Sequence, residues 1–242
     1  MVGAENMVTR IHRMETTVST NLDAHAGAHG DVYVAEFQTA GRGRLDHRWL
    51  APRGENLMFS AVFDVAGLEP GEIATFPLVV GLAVIGALNP LVSSGGLALK
   101  WPNDILSGGR KLAGILCERD GDKVIAGIGI NVNQTVFAPE IASRATSLAL
   151  LRGEPYDREL ILAQVLESLY VRHAQWRQVG FAALLSEFAA IDHLAGKTVS
   201  VLQTDTDPTP ITGLCGGIQD DGTLLVGNTR IYAGEAHVTT GF

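Results

Sequence analysis

Thirteen consecutive residues, from Phe76 to Leu88, carry no charged side chain and no side-chain hydrogen-bonding group. The run is too short to cross a bilayer, which takes about 20 apolar residues. Pro70 and Gly71 ahead of it open a helix expected over 72–88. A helix that is apolar nearly all round has no face to give to water, so it belongs in a core. Gly81 and Gly86 would let a sheet or a second helix approach its backbone closely. The rest of the chain has to supply that cover. Its 242 residues suffice for one large domain, or one large and one small.

The cover reads mainly as strands. An alternating run at 32–37 and another at 56–65 predict half-buried strands, and a strand is expected over 7–13. Segments 97–101, 111–118 and 123–132 are strand-like, with turn signals at Ser107-Gly-Gly-Arg110 and Asp120-Gly-Asp122, which predicts an antiparallel meander. Ser19 or Thr20 can cap a short helix, with Asp23 as capping-box partner. Pro155 and Asp157 open an amphipathic helix in which Ile161, Val165 and Leu169 recur every four residues, with Leu162 and Leu166 beside them. Gly180 breaks it, and a second helix is expected over 181–191. From Gly196 the texture changes to short strands at 197–203, 211–218, 224–227 and 230–235, separated by turn-forming stretches at 205–210 and 220–222. That spacing predicts a small barrel. The expected fold class is therefore α+β: a mixed, largely antiparallel sheet packed with helices over 1–193, and a small C-terminal β-barrel over 194–242.

Composition narrows the function. The formal net charge is −8, which argues against binding nucleic acid over a broad surface, since that needs a basic face. The cations cluster instead, as Arg42, Arg44 and Arg48, then Arg110 and Lys111. Basic clusters inside an acidic chain point to a buried anionic ligand. No stretch reaches 18 consecutive apolar residues, and the N-terminus lacks the basic, apolar, small-residue order of a secretory signal. Cys117 and Cys215 lie far apart in apolar runs and read as reduced thiols, so the expected compartment is the cytoplasm. No partner membrane or nucleic acid is expected, and the histidines have no metal-ligand spacing.

Four stretches carry chemistry. The strand at 32–37 runs into Gln38-Thr-Ala-Gly-Arg-Gly-Arg-Leu-Asp-His-Arg-Trp49, with two glycines and three arginines inside eight residues. Glycine lets backbone approach a ligand, and arginine offers a planar fork of donors to carboxylate or phosphate. A strand that delivers such a loop suits an anion-closing flap. In Lys100-Trp-Pro-Asn-Asp104 a strand stops at proline, and a lysine and an aspartate bracket the corner. In Arg110-Lys-Leu-Ala-Gly-Ile-Leu-Cys-Glu118 two cations start a strand that holds Gly114 in its interior, where a glycine often marks a ligand lying against the backbone. Gly127-Ile-Gly-Ile-Asn-Val-Asn133 is a third glycine-spaced strand, ending in amides.

These motifs, in this order and spacing and together with Ser19-Thr-Asn21, resemble the biotin protein ligases over nearly the whole chain. The resemblance implies a class II synthetase-like catalytic domain and an SH3-like C-terminal barrel. It also implies a two-step reaction. Biotin and ATP give biotinyl-5′-AMP, then a lysine on a biotin carboxyl carrier domain, of acetyl-CoA carboxylase or another biotin enzyme, takes the biotinyl group. By the same resemblance Ser19, Thr20, Asn21 and Gln38 meet the uncharged ureido ring. Gly41, Arg42, Gly43, Arg44, Trp49, Lys111 and Gly114 complete the biotin site, with Trp49 closing over the apolar tail. Arg42, Arg44, Lys100, Asn103, Lys111 and Asn131 face ATP or the adenylate, and Lys111, Arg42, Arg44 and Asp104 act on the reacting groups. Magnesium is expected with ATP, at unidentified ligands, and a monomer or homodimer is compatible with the sequence. Two departures stand out: Asp46 and His47 replace a glycine and a basic residue common in the family, and the 242 residues leave no room for the DNA-binding domain some members carry. The rival readings are lipoate or octanoyl transfer, which shares the fold, and a non-catalytic binding module.

Overall fold

The computed structural model describes residues 10–45, 47–92, 95–203 and 209–239. The first part of the strand expected over 7–13, the flap residue Asp46 and most of the turn expected at 205–210 lie outside these residues. The chain opens with β1 (Arg10–Met14), α1 (Thr20–Ala24), β2 (Asp31–Ala35) and β3 (Leu57–Asp64). Helices α2 (Pro70–Ala74) and α3 (Phe76–Leu88) follow, then strands β4 (Leu97–Lys100), β5 (Asp104–Ser107), β6 (Arg110–Asp120) and β7 (Lys123–Ile130). These strands form one seven-stranded sheet in the order β1-β2-β3-β7-β6-β5-β4. Only β1 and β2 pair in parallel; every other neighbour is antiparallel, as expected.

The meander has one strand more than the sequence suggested. Asp104–Ser107 pairs between β4 and β6, and four residues straight after a proline turn are too few to show an alternation. The apolar helix also begins earlier. A Glu69–Glu72 capping box starts α2, and Thr75 joins it to α3. The resulting helical run from Pro70 to Leu91 has the length and mean hydropathy (1.9) of a membrane span, yet its most apolar window is 67% buried within the protein. Its two glycines show what covers it. A Cβ on Gly81 would sit 2.7 Å from Leu99 of β4, so that face lies on the sheet. Gly86 faces Ser168, whose hydroxyl donates to the Ala83 carbonyl at 2.8 Å, so that face lies on the long helix beyond. With Leu78, Val79, Val80, Val84 and Leu88 all buried at roughly 1.5–3 kcal/mol each, α3 is the centre of the core.

After α4 (Pro139–Ala142) and α5 (Leu148–Arg152) comes that long helix, α6 (Arg158–Val179). Asp157 caps it by accepting from the Glu159 N–H at 2.9 Å, and Ile161, Leu162, Val165, Leu166 and Leu169 bury its inner stripe. The helix expected over 181–191 is only a 3-10 turn and α7 (Leu185–Phe188). A second, five-stranded antiparallel sheet then forms from β8 (Thr198–Leu202), β9 (Ile211–Ile218), β10 (Leu224–Val226), β11 (Thr229–Ile231) and β12 (Glu235–Val238), in the order β11-β10-β9-β8-β12. The single strand expected over 230–235 is divided at Gly234, whose φ of +147° brings it so close to the Leu202 carbonyl that a Cβ would not fit.

The two sheets share one apolar core, which includes Leu194, Val199, Cys215, Leu224 and Ile231 beside the residues of α3 and α6. Polar links reinforce it. The Leu99 N–H donates to the Ile191 carbonyl (2.7 Å), the His193 N–H to the Leu99 carbonyl (2.9 Å), and the Trp101 indole N–H to the Gly222 carbonyl (3.0 Å).

Candidate active site

A cleft of about 760 Å3, mouth included, opens over strands β3, β6 and β7. One end is polar and uncharged. Ser19 occupies the N-cap position of α1 but makes no capping bond, and Asp23, the expected capping-box partner, accepts from the Thr17 hydroxyl at 2.6 Å instead. The hydroxyls expected to cap are thereby turned to the cleft. Gln38 is oriented by the Thr20 N–H, which donates to its Oε1 at 2.8 Å, and by Met58, whose sulfur accepts from Nε2 at 3.4 Å. Asn21 donates Nδ2 to Glu118 (2.6 Å) and to the Leu116 carbonyl (3.3 Å), while its Oδ1 accepts from the Ser60 hydroxyl (2.6 Å). It lines the cleft as a wall whose two donors are already committed.

The floor is built by absent side chains. A Cβ on Gly127 would overlap the Asn21 amide, and one on Gly129 would overlap the Trp49 indole. Trp49 also lies 3.1 Å from where a Cβ of Gly114 would be. Gly114 and Gly129 thus let the flap's tryptophan pack against the sheet, and Gly127 makes room for Asn21. The flap is a small hairpin of its own, closed by Gly43 N–H to His47 O (2.7 Å) and Trp49 N–H to Gly41 O (2.9 Å). Gly41 is not among the lining residues; its part is structural, since a Cβ there would come within 2.5 Å of the Trp49 carbonyl.

At the far end the cations gather, each with an oxygen partner. Lys111 Nζ lies 2.6 Å from Asp104 Oδ1 and 5.8 Å from the Trp49 ring centroid. Arg44 donates to the Gly234 carbonyl (3.3 Å), whereas Arg42, expected at this end, pairs with Glu118 (3.0 Å), the carboxylate that also holds Asn21 at the polar end. Burial pulls the Arg44 guanidinium below its ordinary pKa, opposed by Glu235 and Asp104. Burial likewise lowers Lys100, with Asp104 and Glu235 opposing and Lys111 and Arg144 reinforcing. Paired in this way, like charges sit together without mutual repulsion expelling them.

Of the residues singled out in the sequence, Ser19, Thr20, Asn21, Gln38, Arg42, Gly43, Arg44, Trp49, Asn103, Asp104, Lys111 and Gly114 line this one cleft. Lys100 and Asn131 do not. Asn131 is buried, and its Nδ2 donates to the carbonyls of Thr146 (3.0 Å) and Lys111 (3.4 Å), so it braces the backbone under Lys111. Asn103 both lines the cleft and ties the β4–β5 turn to β6 through the Ile115 carbonyl (2.8 Å). Arg110 is exposed, on the hairpin side of β6. Sequence reasoning missed Ser60, Glu118 and Glu235. A lone hydroxyl in the apolar run of β3 is a signal that would have found Ser60. Glu235 reaches the cleft only because the C-terminal sheet folds back, where its Oε1 pairs with His47 at 3.2 Å.

Comparison with known proteins identifies the family. The model of the Biotin/lipoate A/B protein ligase family matches residues 9–134. A Mycobacterium tuberculosis biotin–acetyl-CoA-carboxylase ligase is 35% identical over 236 residues, covering 93% of this chain and 86% of that protein. The chain belongs to the biotin protein ligase family. A Paracoccus denitrificans enzyme of the same name is 31% identical over 88% of this chain and 91% of its own length. The biotin protein ligase of Aquifex aeolicus, solved in complex with biotin and ATP, superposes with a TM-score of 0.85 at 30% identity, over 96% of this chain and all of that one. Membership in this ligase family accounts for the mixed sheet with its helices and for the second antiparallel sheet, which is consistent with an SH3-like domain.

Proposed function

We propose that the chain biotinylates a specific lysine of a biotin carboxyl carrier domain, using ATP and passing through biotinyl-5′-AMP. The observation that carries this reading is the polarity sequence along one cleft. An uncharged donor–acceptor end at Ser19, Thr20 and Gln38 leads over a glycine floor beneath Trp49 to a charged end at Lys111, Arg44 and Asp104. A cyclic urea, an aliphatic tail and a carboxylate follow the same order.

In the first step the biotin carboxylate oxygen attacks the α-phosphorus of ATP, and pyrophosphate leaves. Two anions must meet, and fixed cations in a site closed to water offset that repulsion. Lys111 is the point charge placed between carboxylate and phosphate, held by Asp104. Arg44 comes to the same end from the flap. Among the described residues no three acidic, histidine or cysteine side chains form a metal cage. Asp104, on the cleft wall, would help hold magnesium carried in by the triphosphate, which would supply charge neutralisation on the phosphates. In the second step the neutral lysine amine of the carrier attacks the acyl carbon, AMP leaves, and the amine gives up a proton. Asp104 and Glu235 are the carboxylates lining that end to receive it. Closing the flap keeps water from the mixed anhydride meanwhile. The catalytic unit is assigned to 1–193 and the barrel to 194–242, with Glu235 as the barrel's contribution. The unpaired thiols Cys117 and Cys215 support a reducing, cytoplasmic setting.

The test is exchange of labelled pyrophosphate into ATP, with biotin, with lipoate, and with neither. Biotin-dependent exchange that falls more than about a hundredfold in Lys111→Ala, roughly 3 kcal/mol in the barrier, supports the reading. Exchange with lipoate alone would move the chain to lipoyl transfer. No exchange from folded protein would favour a binding module.

A further inference from the structure

The polar end of the cleft rests on a carboxylate that does not line it. Glu118, on β6, accepts from Asn21 Nδ2 with one oxygen (2.6 Å) and meets Arg42 of the flap with the other (3.0 Å). We propose that Glu118 is a positioning residue that sets the hydrogen-bond polarity of this end of the cleft and ties the flap to it. The inference rests on the biotin ligase reading above.

The polarity follows from counting protons. Carboxylate and carbonyl oxygens only accept, so the Asn21 NH2 must face Glu118 and Leu116, and its Oδ1 must face Ser60. Ser60 is fully buried and has one proton, which goes to Asn21 Oδ1. The Thr20 hydroxyl stands 2.7 Å from the Ser60 oxygen and 3.2 Å from Gln38 Oε1, which already takes the Thr20 N–H, so its own proton goes to the nearer Ser60. Every dipole in the chain Thr20–Ser60–Asn21 then points toward the Glu118 charge, an arrangement in which each bond strengthens the next. Thr20 is left with lone pairs toward the cleft and takes an N–H. Ser19, with no side-chain partner among the described residues, keeps its proton for a carbonyl. A cyclic urea offers that combination; a ring that carries only sulfur does not. Arg42 on the second oxygen makes a closed flap part of the same network.

The experiment measures biotin KM and kcat in pyrophosphate exchange for wild type, Glu118→Gln, Glu118→Met and Ser60→Ala, with melting temperatures as a check on folding. Glu118→Met is expected to raise biotin KM about ten- to a hundredfold, the range of a lost charge-assisted bond, while kcat at saturating biotin stays within about threefold. Glu118→Gln should lie between, since its amide oxygen still accepts from Asn21 while its nitrogen faces Arg42. Ser60→Ala should raise KM as well. Combining it with Glu118→Met should add less than the sum of the two, because both break one chain. A wild type that exchanges while folded Glu118→Met and Glu118→Gln keep biotin KM within about twofold overturns this inference alone. A wild type with no biotin-dependent exchange overturns the functional reading and this inference with it.

Discussion

His173 gives the most quantitative handle on stability. It lies on α6, 3% exposed, among Phe63, Phe76, Trp176 and His29. Its Nε2–H donates to the Asp64 carbonyl at 2.9 Å, while Nδ1 is buried without a partner. Burial is the main cause that lowers its pKa from 6.5 to about 4, with His29 and Arg177 adding to the shift and the Asp64 carbonyl opposing it. The folded state therefore refuses a proton that the unfolded chain accepts. Stability is whole above pH 6.5 and is lost as pH falls toward 4, the sign for a depressed histidine. At 1.36 kcal/mol per unit, the loss from this one group between pH 7.5 and 5.0 is about 2 kcal/mol, levelling off near 3 kcal/mol in stronger acid. His173→Leu keeps a similar volume and removes the titration, and the Asp64 carbonyl keeps the Arg177 guanidinium at 2.9 Å. Urea unfolding of both proteins at the two pH values isolates the effect, because every other titrating group is common to both. Wild type should lose about 2 kcal/mol more than the variant. Equal losses, within about 0.5 kcal/mol, would refute the reasoning.

Other substitutions separate structure from ligand. Ser19→Ala should leave the unfolding free energy within about 0.5 kcal/mol, where loss of a working cap takes about 1, yet raise biotin KM in the exchange assay; a clear loss of stability with unchanged KM would make Ser19 a cap after all. Gly129→Val places a side chain where the Trp49 indole lies. Overpacking there costs about 1–3 kcal/mol of stability, so the variant is expected to melt at a lower temperature and to show a raised biotin KM, and an unchanged KM would show that the tail does not run over this floor.

The sequence determined more than the fold class. Periodicity and turn residues placed β2, β3, β6, β7 and α6, because those elements are long enough to repeat a burial pattern. Motif order named the cleft's polar end, its flap and Lys111, since each lies on a contiguous stretch. The sequence did not place β5, four residues long beside a proline turn, nor the division of the last strands at Gly234. Nor did it show how shared groups are used. Whether the hydroxyls of Ser19 and Thr20 cap a helix or face a ligand depended on Thr17 taking Asp23 and Ser60 taking Thr20, contacts made across 6 and 40 residues. Asn131, Glu118 and Glu235 obtained their positions in the same way, from strands β6, β7 and β12 brought together by the core. A local pattern records which elements can form, but where a polar side chain spends its few hydrogen bonds is settled only when distant strands are in register.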